Sequence, residues 1–294
     1  MTYSTQVNRL FSIVFGEKIQ KRFENIILVL AGLGFLIHLL LIVLKTNNIG
    51  FLSEVNSSLL NDPITAIYTP FSLILIYEVY LLVFYLPRSF TSCVSKQFEI
   101  ISLIVIRKIF KDIPQMDLQG DWHLSQHNLE LMVDLLGFLL LFLLIYLFNV
   151  GKNRLPKKVV NDPKLLNFIS SKKVVSLVLL MLLIITSFYS LILWSIDTYT
   201  DGFVSNVDSV FFNQFFTLLI LTDVIILLIS FRYTEEYSKL IRNTGFIIAT
   251  ILIRLSFSAD GFLNIILILT GVGFALLILQ IFNAIENPKL DSTA

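Results

Sequence analysis

Long apolar runs separated by short polar stretches dominate this chain. About 20 consecutive apolar residues are enough to cross the ~30 Å of hydrocarbon in a bilayer. Hydrophobic residues make up 56% of the chain, well above the share in a soluble domain. The pattern therefore predicts an all-α polytopic membrane protein. The six runs of spanning length lie near 26–44, 63–87, 129–150, 174–195, 209–231 and 262–283.

Two shorter apolar runs, near 98–111 and 245–259, leave the number of crossings open. About 14 apolar residues extend only ~21 Å at a rise of 1.5 Å per residue. Polar flanks would have to lengthen these helices, which suits segments shielded inside a bundle. The alternative is six spans plus two short re-entrant or interfacial helices.

The distribution of charge favours eight crossings. With eight, both termini and the alternate loops carry 17 Lys and Arg residues, whereas the opposite loops carry only Lys45. With six, the most basic loop, 151–173, would lie outside, against the positive-inside rule. We therefore predict that both termini and loop 151–173 are cytoplasmic, with an interfacial helix in residues 1–25 leading into the first span.

An acid and an arginine lie inside these runs, and the combination occurs twice. Glu78 lies in FSLILIYEVYLLVF and Arg107 in FEIISLIVIRKIF, while Asp223 lies in FTLLILTDVIILLI and Arg254 in GFIIATILIRLSF. Charge inside a bilayer costs several kcal/mol, so such residues are candidates for a functional site. All four lie ~12–15 Å from the predicted cytoplasmic ends of their helices. Each acid should therefore contact its arginine, at roughly 2.7–4 Å.

The two halves of the chain align around these pairs. FSLILIYEV (71–79) aligns with FTLLILTDV (216–224), and ISLIVIRKIF aligns with ATILIRLSF so that the two arginines coincide. Four crossings per half predict two parallel repeats related by an axis along the membrane normal. The predicted division is an interfacial helix at 1–25, repeats at 26–150 and 174–283, a basic linker at 151–173 and a tail at 284–294.

The role of the buried pairs has three readings from sequence. A pair can do no more than fix the register of its helices. It can instead control gating or conduction. It can also relay protons, although the arginines oppose this because a guanidinium stays protonated and keeps its acid ionised.

Four-helix units with an acid on the second helix and an intramembrane arginine resemble the voltage-sensor modules of cation channels. Here the arginines lie on the third helix and do not recur every third residue. Arg107 and Lys108 with Lys111 are the nearest approach to such a run. We therefore do not infer voltage sensing, but we keep Lys108 and Lys111 as candidates for gating.

In general build the chain resembles small bacterial channel-type effectors of anti-phage systems, being compact and nearly all membrane. This resemblance implies a homo-oligomeric channel in the bacterial inner (cell) membrane with a role in antiviral defence. It covers the overall build only, because no family motif can be quoted from this chain.

The basic stretch 152–173 should contact anionic lipid headgroups, at about 1 kcal/mol per near-surface charge. It could instead bind an anionic regulator such as a nucleotide or a single-stranded nucleic acid, for which only Phe168 offers stacking. The candidate residues are Lys152, Arg154, Lys157, Lys158, Lys172 and Lys173.

Other titratable residues add little. His38, in the first span, is read as a packing histidine in preference to a proton site, and it stays a candidate for gating. His123 and His127 have metal-capable spacing but lack a third ligand nearby. Cys93 is the single cysteine, which excludes an internal disulfide. No catalytic motif is present, so we expect no enzyme activity, cofactor or metal.

The first functional hypothesis is an oligomeric ion channel or pore-forming effector, gated from the cytoplasmic side. An ion-coupled secondary transporter using Glu78 and Asp223 is the first alternative, and a non-conducting scaffold or partner subunit is the second. A transporter should show Gly or Pro breaks at matched places in both halves. Pro70 has no such match, although Gly271 and Gly273 leave room for a flexible final span.

Overall fold

The structure is a computed structural model. All regular secondary structure in the residues it describes is helical, which confirms the predicted all-α class. The described residues are 3–47, 60, 62–113, 126–155, 163–201, 207–234, 236–259 and 261–291. The helices are α1 (Tyr3–Val14), α2 (Glu17–Thr46), a 3₁₀ helix (Pro63–Ile67), α3 (Tyr68–Tyr85), α4 (Phe90–Asp112), α5 (Gln126–Asn153), α6 (Pro163–Asp201), α7 (Val207–Tyr233), α8 (Tyr237–Ser256) and α9 (Phe262–Asp291).

Six helical stretches in the described residues are long and apolar enough to cross a membrane, and each overlaps one of the six predicted runs. Large apolar side chains such as Leu36 and Leu139 are exposed on their outer faces, as lipid contact requires. These helices are compatible with an integral membrane protein. The six stretches are Gln6–Thr46, Pro63–Tyr85, His127–Asn153, Leu165–Tyr189, Gln214–Tyr233 and Phe262–Glu286.

The two short apolar runs form helices α4 and α8, of 23 and 20 residues. These lengths correspond to ~35 Å and ~30 Å at 1.5 Å per residue. Polar residues lengthen both helices at their N-terminal ends, where Ser95 and Asn243 are buried inside the bundle. The expected shielding of these polar flanks is therefore present.

Helices α4 and α8 form the centre of the bundle. Helix α4 contacts α3, α5 and α8, and α8 contacts α7, α9 and α4. Three fully buried rings join the two halves there, because Phe148 lies 5.1 Å from Phe98 and 5.7 Å from Phe246, centroid to centroid. The core is thus continuous across the middle of the chain.

Helices α8 and α9 approach each other closely at two glycines. A Cβ atom on Gly271 would lie 2.7 Å from Ile253 Cγ1, and one on Gly245 would lie 2.8 Å from Ile278 Cγ1. Both positions thus need a residue without a side chain, and α9 continues unbroken from Phe262 to Asp291. Gly271 therefore allows α9 to pack closely against α8, whereas the sequence had left room for a flexible final span at this position.

Candidate functional site

The first acid–arginine pair joins α3 to α4. Arg107 Nη2 lies 3.4 Å from Glu78 Oε2, and the two side chains are 12% and 3% exposed. Arg107 Nη1 also donates a hydrogen bond to the carbonyl oxygen of Phe71, at 3.2 Å. The predicted contact is therefore present, with the guanidinium divided between a carboxylate and a backbone carbonyl.

The second pair joins α7 to α8 and is tighter. Arg254 Nη1 lies 2.5 Å from Asp223 Oδ2, and both side chains are at most 5% exposed. The hydroxyl of Thr250, one turn before the arginine, lies 3.0 Å from the same carboxylate oxygen and 2.9 Å from the carbonyl oxygen of Ile247, so its one proton is shared between these two acceptors. The angles of the close Arg254–Asp223 contact do not fit a hydrogen bond, and Nη1 and Nη2 have no other partner among the described residues. The second predicted contact is also present.

An aromatic contact accompanies each pair. Phe71 stacks on Phe110 with ring centroids 5.3 Å apart in the first half. Phe216 stacks on Phe257 with centroids 4.5 Å apart in the second half. The sequence alignment places Phe71 on Phe216 and Phe110 on Phe257. Both halves therefore bring the same aligned residues together.

A third ion pair, which the sequence analysis missed, joins α4 to α5. Lys108 Nζ lies 2.9 Å from Asp134 Oδ2, and the aspartate side chain is 7% exposed. The sequence signal was Asp134 itself, which lies inside the apolar run MVDLLGFLL just as Glu78 and Asp223 lie inside apolar runs. Lys108 thus has an acidic partner, whereas the side chain of Lys111 lies outside the described residues.

Lys172 departs from its predicted place at the lipid headgroups. It is 2% exposed, and its Nζ donates a hydrogen bond to the carbonyl oxygen of Arg88 at 2.5 Å. The ammonium also lies 4.6 Å from the ring centroid of Phe90 and 5.3 Å from that of Phe168. The physical reason is that α6 begins at Pro163, inside the predicted linker, and packs against α3.

Two of the other basic candidates contact polar groups of the protein, and a third is exposed. Lys152 Nζ donates to Ser95 Oγ at 2.9 Å, and Lys173 Nζ donates to Asn8 Oδ1 at 2.6 Å, which fastens α1 to α6. Both lysines remain partly exposed, and Arg154 is exposed. Lys157 and Lys158 lie outside the described residues.

His38 contacts a neighbouring helix, as its reading as a packing residue requires. Its Nδ1 lies 2.6 Å from Thr69 Oγ1 on α3. His127 Nε2 lies 3.3 Å from the carbonyl oxygen of Asp112, and His123 falls outside the described residues. In the part of the chain that is described, no cluster of three or more His, Cys, Asp or Glu side chains could hold a metal ion.

No protein-family model, curated protein or solved structure matches this chain.

Proposed function

We propose that this protein is a homo-oligomeric ion channel or pore-forming effector of the membrane, whose state is controlled by its buried acid–arginine pairs. The observation that carries the proposal is the burial of Glu78–Arg107 and Asp223–Arg254 between consecutive helices of each half. Ionisable residues at such depth mark ion pathways and moving elements in membrane proteins.

The proposed architecture has eight crossings in two parallel four-helix repeats, 26–150 and 174–283. Corresponding helices of the two halves contact each other, α4 with α8 and α5 with α9. An axis along the membrane normal between two parallel repeats would produce such contacts. The Phe71–Phe110 and Phe216–Phe257 stacks occupy aligned positions in the two halves and also support two parallel repeats.

Gating from the cytoplasmic side is supported by the attachment of α1. Phe15, which directly follows α1, is buried against Tyr80 and Phe84 of α3. Tyr80 also donates a hydrogen bond from its hydroxyl to the carbonyl oxygen of Val14, at 3.2 Å. Since Tyr80 lies two residues after Glu78, a movement of α1 would be passed directly to the helix that carries the first pair.

The pairs can control the state because each depends on the relative position of two helices. Removing one partner of a buried pair typically costs ~3–5 kcal/mol, since the other charge is left uncompensated. A sliding movement of α3 against α4 would separate Glu78 from Arg107. It would be opposed for the same reason, because each buried charge would lose its partner. We propose that the closed state keeps these contacts and that opening exchanges them for others.

The direct test is current through liposomes that contain the purified protein. The wild type should conduct, and the double variant Glu78→Gln with Arg107→Gln should fold and be constitutively open or silent. The matched control is Lys96→Gln with Glu99→Gln, an exposed ion pair on α4, which should conduct like the wild type. Absence of current from well-folded wild-type protein under all voltages and ion gradients would reject the channel.

The orientation is tested separately by labelling single cysteines in a Cys93→Ser background. A cysteine at position 157 should react with an impermeant reagent only from the cytoplasmic side, because the basic loop is predicted to lie there. External labelling at this position would rule out the eight-span topology.

An ion-coupled secondary transporter is the second candidate, and one observation favours it. A carboxylate is buried at matched positions of the two halves, Glu78 and Asp223. Intramembrane carboxylates mark ion pathways and proton relays in transporters. Saturable uptake that depends on an ion gradient, without single-channel current, would identify a transporter.

A further inference from the structure

A small cavity lies between α4 of the first half and α6, α7 and α8 of the second. Its volume is about 10 Å³, close to the space that one water molecule occupies. The polar groups that line it come from four helices, and apolar side chains form the remainder of the lining. The polar lining residues are Cys93, Gln97, Lys172, Asp223 and Thr250.

Two of these side chains have hydrogen-bonding capacity that the protein does not use. Gln97 is 1% exposed and donates from Nε2 to the sulfur of Cys93, but its Oε1 has no partner among the described residues. A buried acceptor without a hydrogen bond destabilises the fold. Lys172 has three N–H donors, of which one goes to the carbonyl of Arg88. An unused acceptor and unused donors therefore line the same cavity.

We propose that this cavity binds one ordered water molecule, which accepts a hydrogen bond from Lys172 and donates hydrogen bonds to Gln97 Oε1 and to the Asp223 carboxylate. A buried water typically needs two to four polar partners, and these three side chains supply them. A metal cation is disfavoured, since Lys172 and Arg254 both bring positive charge to the cluster. Anions larger than water exceed the volume.

The water connects residues that the protein does not join directly. Lys172 has no ion pair with any described residue, and its buried ammonium contacts only neutral groups, the Arg88 carbonyl and the rings of Phe90 and Phe168. The water hydrogen-bonds Lys172 on α6, Gln97 on α4 and Asp223 on α7. It therefore links α6 and α4 to the second acid–arginine pair. The site is independent of whether the protein conducts ions.

Radiolytic footprinting tests the site with water itself as the probe. A millisecond X-ray pulse produces hydroxyl radicals from bound as well as bulk water, and these react only beside the place where they form. Cys93 is buried, with 7% of its surface exposed, so oxidation of its sulfur reports a neighbouring water when it is lost on removal of the water's partner in Gln97→Leu. We expect mass spectrometry to show oxidised Cys93 in the folded wild type at the shortest exposures.

The matched control is a second buried thiol, placed by Ser256→Cys in a Cys93→Ser background. Ser256 is fully buried on α8 and does not line the cavity, so its thiol should stay unoxidised. Gln97→Leu removes the unused acceptor and should abolish the oxidation of Cys93, whereas Thr222→Val, at a buried threonine that does not line the cavity, should leave it unchanged.

Folded wild-type protein in which Cys93 is as inert as the control thiol would overturn the proposal. If Gln97→Leu does not fold, a high-resolution cryo-EM map of the wild type decides instead. Density for a water within hydrogen-bond distance of Lys172 Nζ and Gln97 Oε1 supports the site, and a map that resolves both side chains without it rejects the site.

Discussion

The two acid–arginine pairs come from the same sequence pattern but have different environments. Arg254 meets Asp223 at 2.5 Å, while Arg107 meets Glu78 at 3.4 Å and also donates to a backbone carbonyl. The difference begins with the residue four positions before each arginine. In α8 it is Thr250, which is buried and donates to the carboxylate, whereas in α4 it is Leu103, which is half exposed.

The surroundings of the two arginine-bearing helices extend this contrast. Helix α8 is covered by α7, α9 and α4, and the side chain of Arg254 is 2% exposed. The corresponding face of α4 leaves the Arg107 side chain 12% exposed. The comparison indicates that the second pair is more deeply enclosed by the core than the first.

The largest effect is expected from Arg254→Ala. It leaves the Asp223 carboxylate buried without a counter-charge, at a cost of about 3–5 kcal/mol. The variant should be aggregated or strongly destabilised, as measured by size-exclusion chromatography and thermal unfolding in detergent. Adding Asp223→Asn should recover much of the folded protein, since no buried charge remains. A thermal unfolding temperature of Arg254→Ala equal to that of the wild type would show that the Asp223–Arg254 pair does not stabilise the fold to this extent.

Arg107→Ala should be less damaging than Arg254→Ala. Its pair is longer and its side chain is partly exposed, so we expect a loss near the lower end of the range, about 3 kcal/mol. Thermal unfolding of the two alanine variants side by side measures the ranking. Equal or reversed losses would contradict the view that the more deeply enclosed second pair contributes more to stability.

Thr250→Val tests the residue that distinguishes the pairs. It removes a hydrogen bond to a charged acceptor while keeping the shape of the side chain, and the expected cost is about 1.5–3 kcal/mol. Leu103→Thr, at the aligned position in α4, should change stability by no more than about 0.5 kcal/mol because the residue is half exposed. Similar effects of both substitutions would mean that the threonine does not set the difference.

The smallest effect is expected from Lys108→Met. Its partner Asp134 is buried and would be left without a counter-charge, but the lysine side chain is 39% exposed, so we expect the cost to lie below that of Arg107→Ala. Asp134→Asn provides the reciprocal measurement. A loss as large as that of Arg107→Ala would place this third pair among the controlling contacts.

The sequence predicted the helical class and both acid–arginine contacts, because each depends on short-range information. A run of apolar residues sets a spanning length, and positions at equal depth on antiparallel neighbours come together. Asp134 was missed although its sequence signal was of the same kind. No local pattern distinguished Lys172 from the partly exposed Lys173 beside it, since the burial of Lys172 depends on α6 packing against α3.

What this sequence determined by itself is where the chain is helical and apolar, and which charges must find a partner. Residue order is sufficient for this, since hydrophobic run length and the cost of unpaired charge are local properties. Only the tertiary structure decided how well each charge is satisfied. Thr250, Phe71 and Arg88 supply groups to Asp223, Arg107 and Lys172 across helix interfaces. A hydrogen bond depends on a few tenths of an ångström, which packing between helices sets and residue spacing does not.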